Sequence, residues 1–280
     1  MFTLIIGNRQ TMRRRTAGVG RGVVLGVLSL VAILALSSVA AAADPGVRWR
    51  NITREKLPKD VEAIALEYTV VLVKDGQERA VDPNTHQFSV GDRILVRIQP
   101  KDDMYIYVFT QGPMGDRDCL LPTTDEKAPL VKKGKVIELP EDGFFRFNDP
   151  PGEEKLIVVA TAEPSKDLAA LSNVVFRKPL DTLTEQEKKE RKNLIAQVDK
   201  SMNSFKLKLE SAGRISIDSE QDVNDFSKNL KAVKRGIIQD PPHGDVESTY
   251  AMAATQRGVG KPELFMEIAL KSIASPPAGK

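Results

Sequence analysis

The sequence predicts a mainly β protein with a helical insertion: an antiparallel β-sandwich, Ig-like or jelly-roll-like, plus a two-helix segment. Three observations predict it. From Val61 to Thr161, short apolar-alternating runs are separated by Gly, Pro and Asp turns at a spacing of about ten residues. Between Thr184 and Val233 the apolar residues recur at three-four spacing, the period of a helix buried on one face. Beyond Tyr250 the alternation of strands returns. These shifts divide the chain into 1–43, a signal peptide; 44–60, an N-terminal extension; 61–179, the β-sandwich domain; 180–236, the amphipathic helical segment; 246–270, returning strands of the sandwich; and 271–280, a flexible tail.

The first segment has targeting grammar. Arg13-Arg14-Arg15 forms a basic n-region and Val23 to Leu36 an apolar h-region. Ala40 to Ala43 then offers the small residues that signal peptidase needs. Cleavage before Asp44 is expected, leaving an exported chain, periplasmic or extracellular, soluble and with no stable membrane insertion. An uncleaved anchor is the alternative. A span wants ~20 apolar residues, and 23–43 reaches that only by counting Gly, Ser and Ala. Met12 is an alternative start, because 1–11 add nothing that a signal requires. Of the 41 basic residues five lie in this leader, leaving 36 against 38 acidic ones. A nearly neutral body gives no electrostatic case for nucleic acid. Cys119 is the one cysteine, so no internal disulfide forms, and a buried inert thiol is expected.

The extension carries Trp49, expected to cover an edge of the core, and Asn51-Ile52-Thr53, a glycosylation pattern relevant only to a eukaryotic secretory route. Ile64, Leu66, Tyr68, Val70 and Leu72 alternate and predict one long strand over Val61 to Val73. Asp75-Gly76 turns it into a second strand through Val81, and Asp82-Pro83-Asn84 closes that pair. Gly91-Asp92 makes a tight turn before a strand from Arg93 to Ile98. On the next strand Tyr105, Tyr107 and Phe109 share one face while Ile106 and Val108 share the other, the pattern of a strand covered on both sides. Cys119 to Leu121, Val136 to Leu139, Phe144 to Phe147 and Leu156 to Thr161 are further short strands.

A helical turn is predicted over Asp167 to Leu171. Thr184-Glu185-Gln186-Glu187 is a capping box, opening a helix whose buried stripe is Ile195, Val198, Met202, Phe205 and Leu209. Glu185–Lys189 and Glu187–Arg191 stand at pairing distance along it. After Gly213 a second stripe, Val223, Phe226, Leu230 and Val233, ends at Gly236, and 239–245 reads as a loop. The two helices are expected to pair as a hairpin or to dock on the sheet. Tyr250 to Ala253 and Leu264 to Leu270 are the returning strands.

Within this grammar lies a resemblance. Phe88-x-x-Gly91-Asp92, an alternating strand, Tyr105-x-Tyr107-Val108, a Leu120-Leu121-Pro122 corner, Lys133-Gly134 and Pro151-Gly152-Glu153 recur in that order. Residues 80–164 thereby resemble a bacterial extracytoplasmic domain of unknown function, often fused downstream of Ser/Thr kinase or caspase-like modules and also found in stand-alone exported proteins. The corner departs from that pattern, lacking its aromatic residue and its Asn. The resemblance implies a β-sandwich outside the cytoplasm and brings no catalytic residues with it.

Nor do the residues themselves compose a reaction centre. His86 and His243 are the only histidines, and no metalloprotease, paired-cysteine, nucleophile-elbow or phosphate-loop motif is present. Asp102-Asp103 and Asp116/Asp118 lack the acidic ladder of a calcium loop and read as turn residues. The charged run from Glu185 to Lys192 reads as a solvated helix face. No cofactor or metal is expected. Tyr105, Tyr107 and Phe109 are the one candidate ligand or partner surface, since an aromatic row can stack on sugar rings or take a partner's apolar side chains. The competing expectation is that this row packs beneath the helices. The sequence therefore points to an exported, non-catalytic binding or interaction module of the bacterial cell envelope, its partner an envelope protein or glycan. An envelope hydrolase acting on polysaccharide or peptide, or a structural protein oligomerising through its helices, are the alternatives.

Overall fold

A computed structural model describes residues 3–5, 54–113, 117–122, 130–171, 182–193, 195–196, 199–200, 214–215, 220–233, 235–240, 242 and 247–274. The strands in chain order are β1 (Thr3–Ile5), β2 (Val61–Lys74), β3 (Gln77–Val81), β4 (Phe88–Ser89), β5 (Arg93–Pro100), β6 (Met104–Gln111) and β7 (Arg117–Leu121). They continue with β8 (Leu130–Val131), β9 (Ile137–Leu139), β10 (Phe144–Arg146), β11 (Glu153–Thr161), β12 (Arg214–Ile215), β13 (Arg235–Asp240), β14 (Thr249–Gln256) and β15 (Glu263–Ile273). Helix α1 is Lys166–Leu171, residues 185–193 are helical, and α2 is Glu220–Val233.

Two sheets form the sandwich. The first runs β1-β10-β5-β2-β14-β13-β12, with β3 also on β2 and β9 also on β5. The second runs β4-β15-β11-β6-β7, with β8 also on β6. Period-two alternation explains the layers. Leu66, Tyr68, Val70, Val96 and Ile98 of the first sheet face Ile106, Val108, Leu156, Val158, Met266 and Ile268 of the second, and all are buried in one core. The opposite faces are apolar as well, and each carries helix. Val223, Phe226 and Leu230 of α2 cover Ala65, Tyr250, Met252 and Ala254 of the first sheet. Leu168 of α1 and Ile195 cover Tyr107, Phe109, Ile157, Val159 and Phe265 of the second. The result is a β-sandwich with helix on both outer faces, not closed into a barrel.

Local chemistry explains the turns. Asp75 and Gly76 both have positive φ, 51° and 77°, which joins β2 to β3 through the mirror-image turn that matches strand twist. The Phe88-to-Asp92 segment carries the chain from the second sheet, at β4, to the first, at β5. The Ser89 N–H donates to Asp92 Oδ2 at 2.8 Å, and the Asp92 N–H donates to the Ser89 carbonyl at 2.9 Å. The Gly91 N–H donates to the Phe147 carbonyl at 2.8 Å, while Phe88 stacks on Phe147 at 4.7 Å between ring centres. Gly91 has φ +96°, and the nearest atom to an added Cβ is 3.9 Å away. Backbone strain, not space, selects glycine there. Gly91→Val is expected to lower stability by more than ~1 kcal/mol. An unchanged melting temperature would show that the turn relaxes without cost.

Two readings of the sequence need correction. The helix of the second stripe ends at Val233, and Gly236 lies inside β13, as do Gln239 and Asp240 from the predicted loop. Ile237 and Ile238 supply β-branched bulk there, but six residues give too brief an alternation to read against the preceding helix. The flexible tail does not begin at 271. β15 runs to Ile273, held by Ser272, whose N–H donates to the Gly152 carbonyl at 2.8 Å. The sandwich is mainly antiparallel as expected, with β15–β4 and β12–β13 pairing in parallel. Residues 3–5, read as part of the leader, form an edge strand on β10. The rest of that leader, Trp49, Asn51 and the stripe residues Val198, Met202, Phe205 and Leu209 lie outside the described residues.

Candidate functional site

β6 sits in the second sheet between β11 and β7, so both its edges are paired, and both its faces are packed, Ile106 and Val108 in the inner core and Tyr107 and Phe109 in the outer cluster. Tyr107 is fully buried and Phe109 is 5% exposed; Tyr105 is half-buried at the rim of the same cluster. The Tyr107 ring lies under Leu168, and its hydroxyl accepts the Ser165 N–H at 3.1 Å and reaches the Ser165 carbonyl at 3.5 Å. Burial pushes the Tyr107 phenol pKa up, with the Ser165 hydrogen bond opposing. In this packing the row is the floor beneath α1 and the helical run that follows, and its outer member Tyr105 is the most accessible of the three.

The capping box forms as its spacing requires. The Glu187 N–H donates to Thr184 Oγ1 at 3.3 Å, and the Thr184 N–H donates to Glu187 Oε2 at 2.8 Å. Along the same helix Glu185 pairs with Lys188 at 2.6 Å. Arg191, in the run read as a solvated face, is instead buried and reaches Asp118 at 3.3 Å, tying the helix to β7. That tie has no local sequence signal, since the partners stand 73 positions apart.

Asp102 and Asp103 are structural. Asp102 accepts the Ala65 N–H at 3.0 Å and pairs with Arg54. Asp103 accepts the Lys133 N–H at 2.9 Å and Lys132 Nζ at 2.7 Å, and the Lys132 bond holds its pKa low. Both carboxylates thus hold protein donors at the turn. Asp116 and His243 lie outside the described residues. His86 packs its ring edge-on against Phe88 at 4.7 Å, with Nε2 buried and lacking a hydrogen-bond partner among the described residues. Burial lowers its pKa, with Arg79 adding to the effect and Asp92 opposing it. Cys119 is half-buried, its thiol 3.4 Å from the Leu121 carbonyl. No group of three or more His, Cys, Asp or Glu side chains converges among the described residues.

A polar cluster absent from the sequence-based reading sits inside the first sheet. Tyr68 and Thr249 face each other in register on β2 and β14, both buried, with the Thr249 hydroxyl lacking a hydrogen-bond partner among the described residues. Desolvation raises the Tyr68 phenol pKa. Tyrosine within an alternating strand reads as apolar bulk, so no local pattern marks the cluster.

Residues 87–164 match a domain of unknown function, DUF4384. No curated protein and no solved structure matches the chain. The matched segment runs from the residue before β4 to just beyond β11. It is similar to that domain in the stretch that carries the Gly91-Asp92 turn and the aromatic strand. In the fold it is not self-sufficient: β5 pairs with β2 outside the match, and β11 pairs with β15 outside it. No helix among the described residues is long and apolar enough to cross a membrane.

Proposed function

We propose that the chain is an exported, non-catalytic binding module of the bacterial cell envelope, processed near Ala43 and engaging an envelope protein or glycan. The leader carries this reading: a triple arginine, an apolar run and an alanine tetrad precede a nearly neutral, β-rich body. The chemistry of the body agrees with it. Arg97 joins Glu78 and Glu138, Lys101 joins Glu67, and Asp102 and Asp103 take backbone donors, so these charges maintain turns and strand pairs. Such a scaffold recognises partners through its loops and strand edges, while its faces are occupied by helix.

Oligomerisation through the helix stripes is the weaker reading, because Val223, Phe226 and Leu230 are already buried against the first sheet. Cell fractionation with mass analysis of the mature N-terminus tests the export step. The expected product starts at Asp44 and sits outside the cytoplasm. An intact leader on a cytoplasmic protein would overturn the reading. Affinity capture from envelope extract should then retain a glycan or protein partner, and turnover of envelope polysaccharide by the purified chain would favour the hydrolase instead.

A further inference from the structure

β10 pairs with β5 on its inner edge, and what lies on its outer edge is β1, a segment from the far N-terminus. The pairing is antiparallel, with Thr3 opposite Arg146, Leu4 opposite Phe145 and Ile5 opposite Phe144. This contact is long-range: no turn joins the two strands, and all of β2 to β9 intervenes. Phe144-Phe145-Arg146 contains no Pro that would block pairing, and both phenylalanines are buried.

We propose that the outer edge of β10 is a strand-addition site, filled by Thr3–Ile5 in the leader-bearing chain and by an extended segment of a partner protein once the leader has gone. The proposal rests on the leader removal argued above. Main-chain hydrogen bonds would give such a contact its affinity, and side chains on alternate positions its selectivity. Arg146 fixes the chemistry of one position. It stands in register with Arg93 of β5, which itself lies 5.6 Å above the Phe144 ring. Two guanidinium groups side by side on one face favour a carboxylate on the incoming strand opposite Arg146. A second copy of this chain, offering its own β10 edge, would bring two more arginines to the same place and is disfavoured.

Amide hydrogen exchange at β10 is the test. In the leader-bearing chain, β10 amides directed away from β5 are expected to be protected. Leu4→Pro removes a strand N–H and should release that protection without lowering protection in β11 and β15. The peptide Met1–Asn8 added to the Leu4→Pro chain should restore it. A Thr3→Glu version of that peptide should bind several-fold tighter, with the gain erased by Arg146→Ala. Free exchange in the leader-bearing chain, no response to either peptide, or protection that grows with protein concentration through self-pairing would each overturn the proposal. The export reading fails separately: a leader retained in cells would sink it and leave the Leu4→Pro result standing.

Discussion

A chain ending at residue 246 is expected to show no cooperative thermal transition. The missing segment supplies β14 and β15, and each lies inside a sheet, not at its margin. β14 stands between β2 and β13, and β15 between β4 and β11. Removing them leaves two unpaired edges where the sandwich had continuous ladders, from Val61 to Tyr68 on β2 and Glu153 to Thr161 on β11. It also removes Tyr250, Met252, Leu264, Phe265, Met266, Ile268 and Leu270 from the core. At ~1.5–3 kcal/mol for each large apolar side chain, the loss is on the order of 10 kcal/mol or more. Net stability of a domain is ~5–15 kcal/mol, so the truncated chain has nothing left to hold it. The same reasoning applies to a fragment limited to 87–164, which keeps β11 and β5 but loses a neighbour of each. Circular dichroism during a thermal melt reads both. A sharp transition in either would mean that the matched segment folds alone and the returning strands are accessories.

Those returning strands were legible because Leu264 to Leu270 alternate cleanly, and β2 was legible for the same reason over a longer run. Sequence periodicity reports which face of a strand is buried, and the inner faces of β2, β5, β6 and β11 are apolar throughout. It does not report which strands are neighbours. That β14 slots between β2 and β13, while β15 joins the other sheet, depends on contacts across about one hundred to two hundred residues that leave no local trace. The helix stripe at Val223, Phe226 and Leu230 was equally plain, but two apolar stripes in succession are compatible with a hairpin. Among the described residues Ile195 lies on the outer face of the second sheet, which offers Tyr107, Ile157 and Phe265, while Val223, Phe226 and Leu230 lie on the first, which offers Tyr250, Met252 and Ala254. Of the candidate site, the Tyr105–Phe109 face was legible and its covering was one of the two expectations. Arg191 bonding to Asp118, and Tyr68 facing Thr249 across β2 and β14, were not, since neither partner's sequence surroundings distinguish it from a surface charge or a core ring.

Tyr107→Ala is expected to cost ~3–5 kcal/mol, as large aromatic-to-alanine changes in a core do. The ring touches the cluster of Phe109, Ile157, Val159, Leu168 and Phe265, and its removal leaves a cavity under α1. Two companion variants separate the causes. Tyr107→Phe keeps the ring and deprives the Ser165 N–H of its acceptor, which should cost ~1–3 kcal/mol. Tyr105→Ala, on the half-buried rim, should cost less than Tyr107→Ala because fewer of its atoms leave water on folding. Urea midpoints at unchanged slope give all three values. The order Tyr107→Ala, then the milder two, follows if the aromatic row is the seat of the helices. A Tyr107→Ala loss well under ~1 kcal/mol would be too small for a filled site. It would mean that α1 rides loosely over β6 and that the row is free to receive a sugar ring or a partner's side chain, returning Tyr105, Tyr107 and Phe109 to the place of a binding platform.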